Sequence, residues 1–229
     1  MAHLERTEPG ADTAKRSVGR PKQSVLSSRL IMETGLQLID ENGAEGAGMR
    51  AIAKRLGVRP SALYNHISGQ AELVAGVREL ICERISTEAF DRLPWDEGLE
   101  EWARHYRAAF ASHPATIALL AVTPLMGAGS TTHMYDRVVE ALVRGGWAED
   151  RVLVMIVALE SFILGSALDL AAADDMLDPG PESDAESFGR AYRARADSLA
   201  SHAVRPADAS FEVGLRALIA GFRAELAGV

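Results

Sequence analysis

The chain has 229 residues, 48% of them apolar, and a single cysteine, Cys82, so it can fill a hydrophobic core but cannot form an internal disulfide. Its longest unbroken apolar run, residues 152–159, is too short to span a bilayer, which excludes a membrane partner and predicts a cytoplasmic protein. The net charge of −8 excludes a uniformly basic surface of the kind that binds nucleic acid.

The charge is unevenly distributed along the chain. Residues 14–70 contain nine Lys and Arg against four acids, a net of +5, so the remainder carries −13. The first 23 residues are polar and contain Pro and Gly, which indicates a flexible basic arm. We therefore expect only the N-terminal part of the chain to meet a polyanion.

Helical periodicity dominates the rest of the sequence. A stripe of apolar residues from Leu26 to Ile39 predicts a first helix, which Asn42-Gly43 ends. The later predicted helices cover 49–56, a short helix of about two turns beginning at Pro60, 70–90, 96–112, 115–122, 133–144, 149–173, 188–201 and 207–226. An acidic loop separates the helices over 149–173 and 188–201. With no strand pattern and no tandem repeat, the predicted fold class is all-α.

The two short predicted helices over residues 49–67 have the spacing of a helix-turn-helix. Ala53 is small enough for the helices to cross closely, Gly57 suits a turn with positive φ, and Leu63 returns to the core six residues later. This clamp would hold the outward residues of the second helix in fixed geometry, as reading a DNA major groove requires. An ordinary helical hairpin with a solvated face has the same spacing and is the alternative.

Residues of three kinds could contact DNA. Small or polar groups at the start of the second helix suit close approach, hydrogen-bonding groups suit phosphates, and cations suit a guanine edge, a phosphate or the minor groove. The candidates are Pro60 and Ser61; Tyr64, Asn65 and His66; Arg50; and, on the arm, Arg16, Arg20 and Lys22.

The stretch MRAIAKRLGVRPSALYNHISGQAELV resembles the DNA-binding signature of the tetracycline-repressor (TetR) family of transcriptional regulators, most specifically at Leu63-Tyr64, His66 and Glu72-Leu73. Segments further on, including MYDRVVEALVRGGW and ALESFILGSALD, are similar to the C-terminal domain of tetracycline repressors. The resemblance implies a flexible arm over 1–23, a DNA-binding domain over 24–68, and an effector-binding and dimerisation domain over 69–229.

The same resemblance implies a mode of action. Two copies would pair through a four-helix bundle, two heads would read the halves of a palindromic operator, and an effector would move the helix over 70–90 and release the DNA. Arg50, Pro60, Ser61, Tyr64 and His66 occupy positions that contact DNA in the family.

The sequence departs from the prototype repressor at several of these positions. Ser68 and Gln70 replace lysines that contact phosphate, and Asn65 replaces a tryptophan, so base preference should differ. Leu120 replaces the histidine that holds magnesium with the drug. Because leucine cannot bind a metal, we predict neither a metal or other cofactor nor tetracycline as the effector.

The positions that line the effector pocket in the family are occupied here by Trp102, Tyr106, Thr123, Val138, Phe162 and Asp169. Aromatic walls would suit a flat, largely apolar compound, although each aromatic could equally serve core packing. Glu160 interrupts an apolar run. It could recognise a ligand from inside the pocket, or, as we prefer, lie at an interface or at the solvent edge.

Three functional classes remain to be weighed. A ligand-responsive regulator of the repressor type is the predicted function; a dimeric DNA-binding protein with no effector is the alternative. An enzyme is not predicted, because the GxSxG, HExxH, GxxxxGK[ST] and GxGxxG motifs are missing from the sequence. His105, His113 and His133 are spaced too irregularly to suggest a metal site.

Overall fold

The computed structural model describes residues 26–125 and 129–228, and these residues form helices, turns and loops with no strand among them. The all-α prediction is therefore confirmed. The predicted arm, with Arg16, Arg20 and Lys22, lies outside the described residues.

The α-helices are, in chain order, α1 (Ser28–Asn42), α2 (Met49–Leu56), α3 (Pro60–Leu63), α4 (Gln70–Cys82), α5 (Trp95–Ala111), α6 (Ile117–Ala121), α7 (Ser130–Arg144), α8 (Glu149–Ala171), α9 (Glu186–His202) and α10 (Pro206–Gly228). Short 3₁₀ segments lie at Ala44–Gly46, Glu88–Asp91 and Pro114–Thr116. The helices α1 to α3 form a small head, and α5 to α10 form the body.

Helix α4 connects the head to the body. On the head side it packs so closely against α1 that a Cβ added at Gly35 would lie 2.8 Å from Leu73 Cδ1. On the body side it packs against α7 and α5. A movement of α4 would therefore displace residues of both the head and the body.

The body is built around α5, which packs against α8, α10 and α7. Its central residue, Trp102, is completely buried. Arg107 ties α5 to α10, since its guanidinium donates to Asp208 Oδ1 at 2.7 Å and lies 4.5 Å from the centre of the Phe211 ring. Helix α9 packs only lightly, against α10, and most of its residues are exposed.

Apart from α3, two helix boundaries differ by three residues or more from those predicted. The helix predicted over 70–90 ends at Cys82. Beyond it the Ser86 hydroxyl accepts a hydrogen bond from the Glu88 N–H at 3.2 Å, a local bond that competes with helix formation. Helix α7 begins at Ser130, three residues earlier than predicted, because the Glu79 carboxylate accepts the Thr131 N–H at 3.2 Å and so satisfies its first turn.

Candidate functional site

The pair of short helices in the head is held by a tight turn and buried apolar residues. Helix α2 is capped by Gly57, which adopts the left-handed conformation with φ 67° and ψ 28°. Helix α3 then begins with Pro60 in its first turn. Ala53 and Leu63 are buried in the crossing between the two helices. The spacing that predicts a helix-turn-helix is therefore realised in the structure.

Helix α3 is shorter than predicted, with one helical turn in place of two. The chain continues as a turn in which the N–H groups of His66 and Ile67 both donate to the Leu63 carbonyl, at 2.9 and 3.0 Å. Ile67 is buried, and the Ser28 hydroxyl donates to the His66 carbonyl at 2.8 Å. These contacts join the short helix firmly to α1, so its outward side chains keep a fixed position relative to the head.

The polar side chains predicted to contact DNA lie mainly on the surface of the head. Tyr64 is 56% exposed, and Arg50, Pro60, Ser61 and Asn65 are exposed as well. His66 is partly buried, because its backbone is tied to α1. Five of the six lie on α3 or in the turn that follows it, and Arg50 lies in the first turn of α2.

The head also presents positive charge beside this surface. Arg50, Lys54 and Arg59 are exposed and form no ion pair with any residue in the described part of the chain. Arg55, by contrast, pairs with Glu41 at 2.5 Å. Three uncompensated cations next to exposed hydrogen-bonding groups are suited to phosphate contact.

The departures at Ser68 and Gln70 have structural consequences. The Ser68 N–H donates to the Glu72 carboxylate at 2.7 Å, and the Gln70 amide donates to the Ala47 carbonyl at 3.4 Å. The first bond is local to the start of α4, and the second joins Gln70 to the loop before α2 in the head. Neither residue brings positive charge to the surface.

A cavity of about 290 Å³ lies in the body between α4 and the bundle helices. Five helices and the segment after α6 line it, with apolar groups around a few polar ones. Its lining comprises Arg78 and Cys82 of α4, Tyr106 and Phe110 of α5, Ile117, Leu120 and Ala121 of α6, Thr123 and Leu125, Thr131 and Tyr135 of α7, and Val157, Glu160, Ser161 and Leu164 of α8.

The six predicted pocket residues are divided by the structure. Tyr106 and Thr123 line the cavity. Trp102 and Val138 are fully buried in the core and do not line it. Phe162 points to the other side of α8 and stacks on Phe211 with ring centres 5.6 Å apart. Asp169 lines a separate cavity of about 340 Å³ at the end of α8.

Glu160 faces the cavity, which contradicts the preferred interpretation of this residue as an interface or surface group. The Tyr135 hydroxyl donates to Glu160 Oε1 at 2.5 Å. Burial raises the pKa of Glu160, although the hydroxyls of Tyr135 and Tyr106 and the charge of Arg78 each lower it. Burial likewise raises the pKa of Tyr135 and Tyr106, so both phenols stay protonated donors.

Arg78 joins α4 to the cavity wall, a role that no sequence motif indicates. Its guanidinium donates to the carbonyls of Leu120 at 2.8 Å, Pro124 at 3.0 Å and Thr123. It therefore fixes the end of α6 and the segment after it. The available signal was its position between Val74 and Ile81, on the stripe of α4 that faces the core.

An exposed stripe of apolar and small residues runs along α8 and α10. Val154 is 62% exposed and Val213 is equally so. The stripe comprises Val154, Val157, Ala158, Ser161, Gly165 and Leu168 on α8, and Val213, Ala217, Ala220, Gly221 and Ala224 on α10. Helix α8 is long and apolar enough to cross a membrane by length and composition alone, but its opposite face is packed against α5 and α10.

Comparison with known families gives two matches that together span most of the chain. Residues 31–77 match the N-terminal model described as bacterial regulatory proteins, tetR family. Residues 91–226 match the tetracyclin repressor-like C-terminal domain. The first match contains most of α1, α2, α3 and most of α4, and the second contains α5 to α9 and most of α10.

Individual proteins show the same similarity. The HTH-type transcriptional repressor DrrR1 of Streptomyces coeruleorubidus is 25% identical over 161 residues, which are 68% of this chain and 57% of that protein. Apo ActR from Streptomyces coelicolor superposes with a TM-score of 0.70 at 21% identity, over 90% of this chain and 98% of ActR. A TetR variant from Acinetobacter baumannii AYE in complex with minocycline has a TM-score of 0.69 at 24% identity, over 86% and 94% of the two chains.

Proposed function

The chain belongs to the tetR family of bacterial regulatory proteins, and from this premise we propose that it is a cytoplasmic transcriptional repressor that binds a palindromic operator as a homodimer and is released by a small-molecule effector. In this proposal the arm spans 1–23, the DNA-binding domain 24–68 and the effector and dimerisation domain 69–229. The protein regulates and does not catalyse.

One observation carries the DNA-binding part of the proposal. The α3 segment is anchored by buried Leu63 and Ile67 and by the Ser28–His66 bond, while Tyr64 and Ser61 remain exposed. A segment that served only the core of the head would not need rigid, outward polar groups. A rigid, exposed, polar turn beside free cations is what reading base edges and phosphates requires.

The exposed stripe on α8 and α10 supports the homodimer. Large contiguous apolar patches are uncommon on the surface of a soluble monomer and mark interaction sites. Gly165, Ser161 and Gly221 lie in the stripe, and small residues let helices of two copies approach closely. A second copy placed by a two-fold axis would cover the same stripe with itself and form a four-helix bundle.

The cavity supports the part of the proposal in which a small-molecule effector releases the DNA. It borders α4 through Arg78 and Cys82, and α4 begins at Gln70 beneath the head. A ligand that preferred one position of the wall at Leu120 and Thr123 would shift α4 through the Arg78 bonds. The spacing of the two heads would then change, because α4 is packed tightly against α1.

Selection of DNA from a random library by the purified full-length protein tests the proposal. The expected result is enrichment of a palindromic sequence whose half-sites are spaced for two heads, together with a dimer mass in solution. A library that shows no enrichment, or a protein that remains monomeric at micromolar concentration with the operator present, would refute it.

The predicted arm offers a second test that does not depend on the described residues. Removal of residues 1–22, which contain Arg16, Arg20 and Lys22, should flatten the dependence of operator affinity on salt concentration, because each phosphate contact adds to that slope. A slope equal to that of the full chain would show that the arm does not contact DNA.

The alternative is a dimeric DNA-binding protein with no effector. It predicts that the cavity binds no small molecule in cells. Native mass spectrometry of the purified protein distinguishes the two functions, since a co-purified small molecule favours an effector.

A further inference from the structure

We propose that the effector is a compact aromatic amine whose protonated nitrogen pairs with the carboxylate of Glu160. This inference rests on the proposed function in one respect only, namely that the cavity is the effector site. It goes further by naming the chemical class of the ligand and the residue that selects it.

The first step is the position of Glu160. Its side chain lies among apolar residues of α8 and faces the cavity, where Tyr135 on α7 donates a hydrogen bond at 2.5 Å. No Lys, Arg or His within residues 26–125 and 129–228 forms an ion pair with it. A largely buried carboxyl group whose hydrogen-bond donors are hydroxyls has no ion-pair partner. Binding of a cationic ligand beside it would therefore stabilise its charged form.

Arg78 is poorly placed to bind an anionic ligand. It is the one cationic side chain lining the cavity among the described residues, and both of its terminal nitrogens donate to backbone carbonyls. A ligand carboxylate would have to share a guanidinium that already donates to three carbonyls, and it would also be repelled by Glu160. The cavity therefore favours a cation over an anion.

The apolar part of the ligand would contact aromatic and aliphatic side chains. The rings of Tyr106 and Phe110 stack at 4.9 Å with their planes 10° apart, and Ile117, Leu120 and Leu164 complete an apolar wall. An ammonium group near the tyrosine rings gains a further attraction to their π faces. The volume of about 290 Å³ lies at the small end of ligand sites, which suits one or two fused rings.

Burial also raises the pKa of Glu160 in the unliganded protein. Tyr135, Tyr106 and Arg78 offset this effect only in part. An ammonium in the cavity would supply the missing counter-charge, so the site is stabilised by the ligand class that we assign to it.

Three matched probes test the assignment by calorimetry on the full-length protein at neutral pH. Naphthylmethylamine, naphthalenemethanol and naphthoic acid share one ring system and differ in the charge of one substituent. We expect the amine to bind roughly tenfold or more tightly than the alcohol, because a hydrogen bond between charged groups is about twice as strong as one between neutral groups. The acid should bind least.

The variant Glu160→Gln keeps the shape of the side chain and an oxygen that can accept the Tyr135 hydrogen bond. It should remove the preference for the amine while leaving the affinity for the alcohol nearly unchanged. Glu97→Gln is the matched control, since Glu97 is exposed on the first turn of α5 and does not line the cavity. The control should behave as the wild-type protein.

Three outcomes would overturn the inference: the alcohol or the acid binding as tightly as the amine, the preference surviving in Glu160→Gln, or none of the probes binding at millimolar concentration. Operator binding by the same preparations tests the proposed function separately from the amine assignment. Intact operator binding with a failed probe series removes only the amine assignment. Absent operator binding removes the proposed function, whatever the probes show.

Discussion

The head and the cavity place their polar groups in opposite ways. In the head, Tyr64 and Ser61 are exposed and are held by apolar neighbours close by in sequence, chiefly Leu63 and Ile67. In the cavity, Arg78 and Glu160 lie inside, on helices far apart in the chain. Surface groups on a rigid core can be changed at little cost to folding, whereas buried polar groups influence stability and recognition together.

The largest expected effect on stability comes from removing a buried side chain that holds the head together. Leu63→Ala should lower the free energy of unfolding by about 2–5 kcal/mol, because Leu63 is completely buried beneath the exposed turn. Urea denaturation measures it, and operator binding should fall in parallel. Ser61→Ala, two residues away and exposed, should stay within about 0.5 kcal/mol of wild type. A similar small cost for Leu63→Ala would show that this residue does not hold α3.

A surface cation should behave differently. Arg50→Ala should leave unfolding nearly unchanged but weaken operator binding by about 1–3 kcal/mol and relax the preference at one base pair, if the side chain reads a base edge. Fluorescence anisotropy on the operator and on random DNA measures both effects. Equal losses on the two DNAs would assign Arg50 to a phosphate. Arg92→Ala, exposed in the body, is the control.

Removal of a single hydroxyl from the exposed turn should have a smaller effect. Tyr64→Phe should preserve thermal stability and weaken operator binding by about 0.5–1.5 kcal/mol, as expected for one lost hydrogen bond. Tyr192→Phe on α9 provides the matched control. If Tyr64→Phe binds the operator as tightly as wild type does, the hydroxyl does not contact DNA.

The smallest expected effect concerns the buried carboxyl group of Glu160 in the cavity. Since the folded-state pKa of Glu160 is raised, its contribution to stability is complete below the unfolded-state pKa and is lost as pH rises through the folded-state value. Glu160→Gln, which does not ionise, should therefore gain stability relative to wild type at neutral pH more than at about pH 4. Thermal unfolding at the two pH values measures this gain. An equal difference at both would show that Glu160 does not titrate in an unfavourable environment.

The head could be predicted closely from sequence because its determinants are local. The spacing of Ala53, Gly57 and Leu63 indicates the helix-turn-helix, and the structure has a left-handed Gly57 and a buried Leu63 in those places. Helix α3 is shorter than the sequence pattern predicts. Its second turn is replaced by a tighter one in which two N–H groups share the Leu63 carbonyl.

The cavity could be predicted only in part because its lining depends on packing between distant helices. Periodicity places Phe162 and Glu160 on the same helix but does not say which of them faces α7. The structure turns Glu160 to Tyr135 and turns Phe162 to Phe211. The early start of α7 has the same origin, since the group that satisfies its first turn is Glu79, on another helix.

Val157 and Ser161 belong both to the lining of the cavity and to the exposed stripe of α8. A mate docked along that stripe would stand at the mouth of each cavity and restrict the exit of whatever is inside. The residence time of a bound effector would then lengthen as the two copies associate. Dilution, by separating the mates, would empty the cavities faster, so the kinetics of induction would depend on how much of the regulator a cell contains.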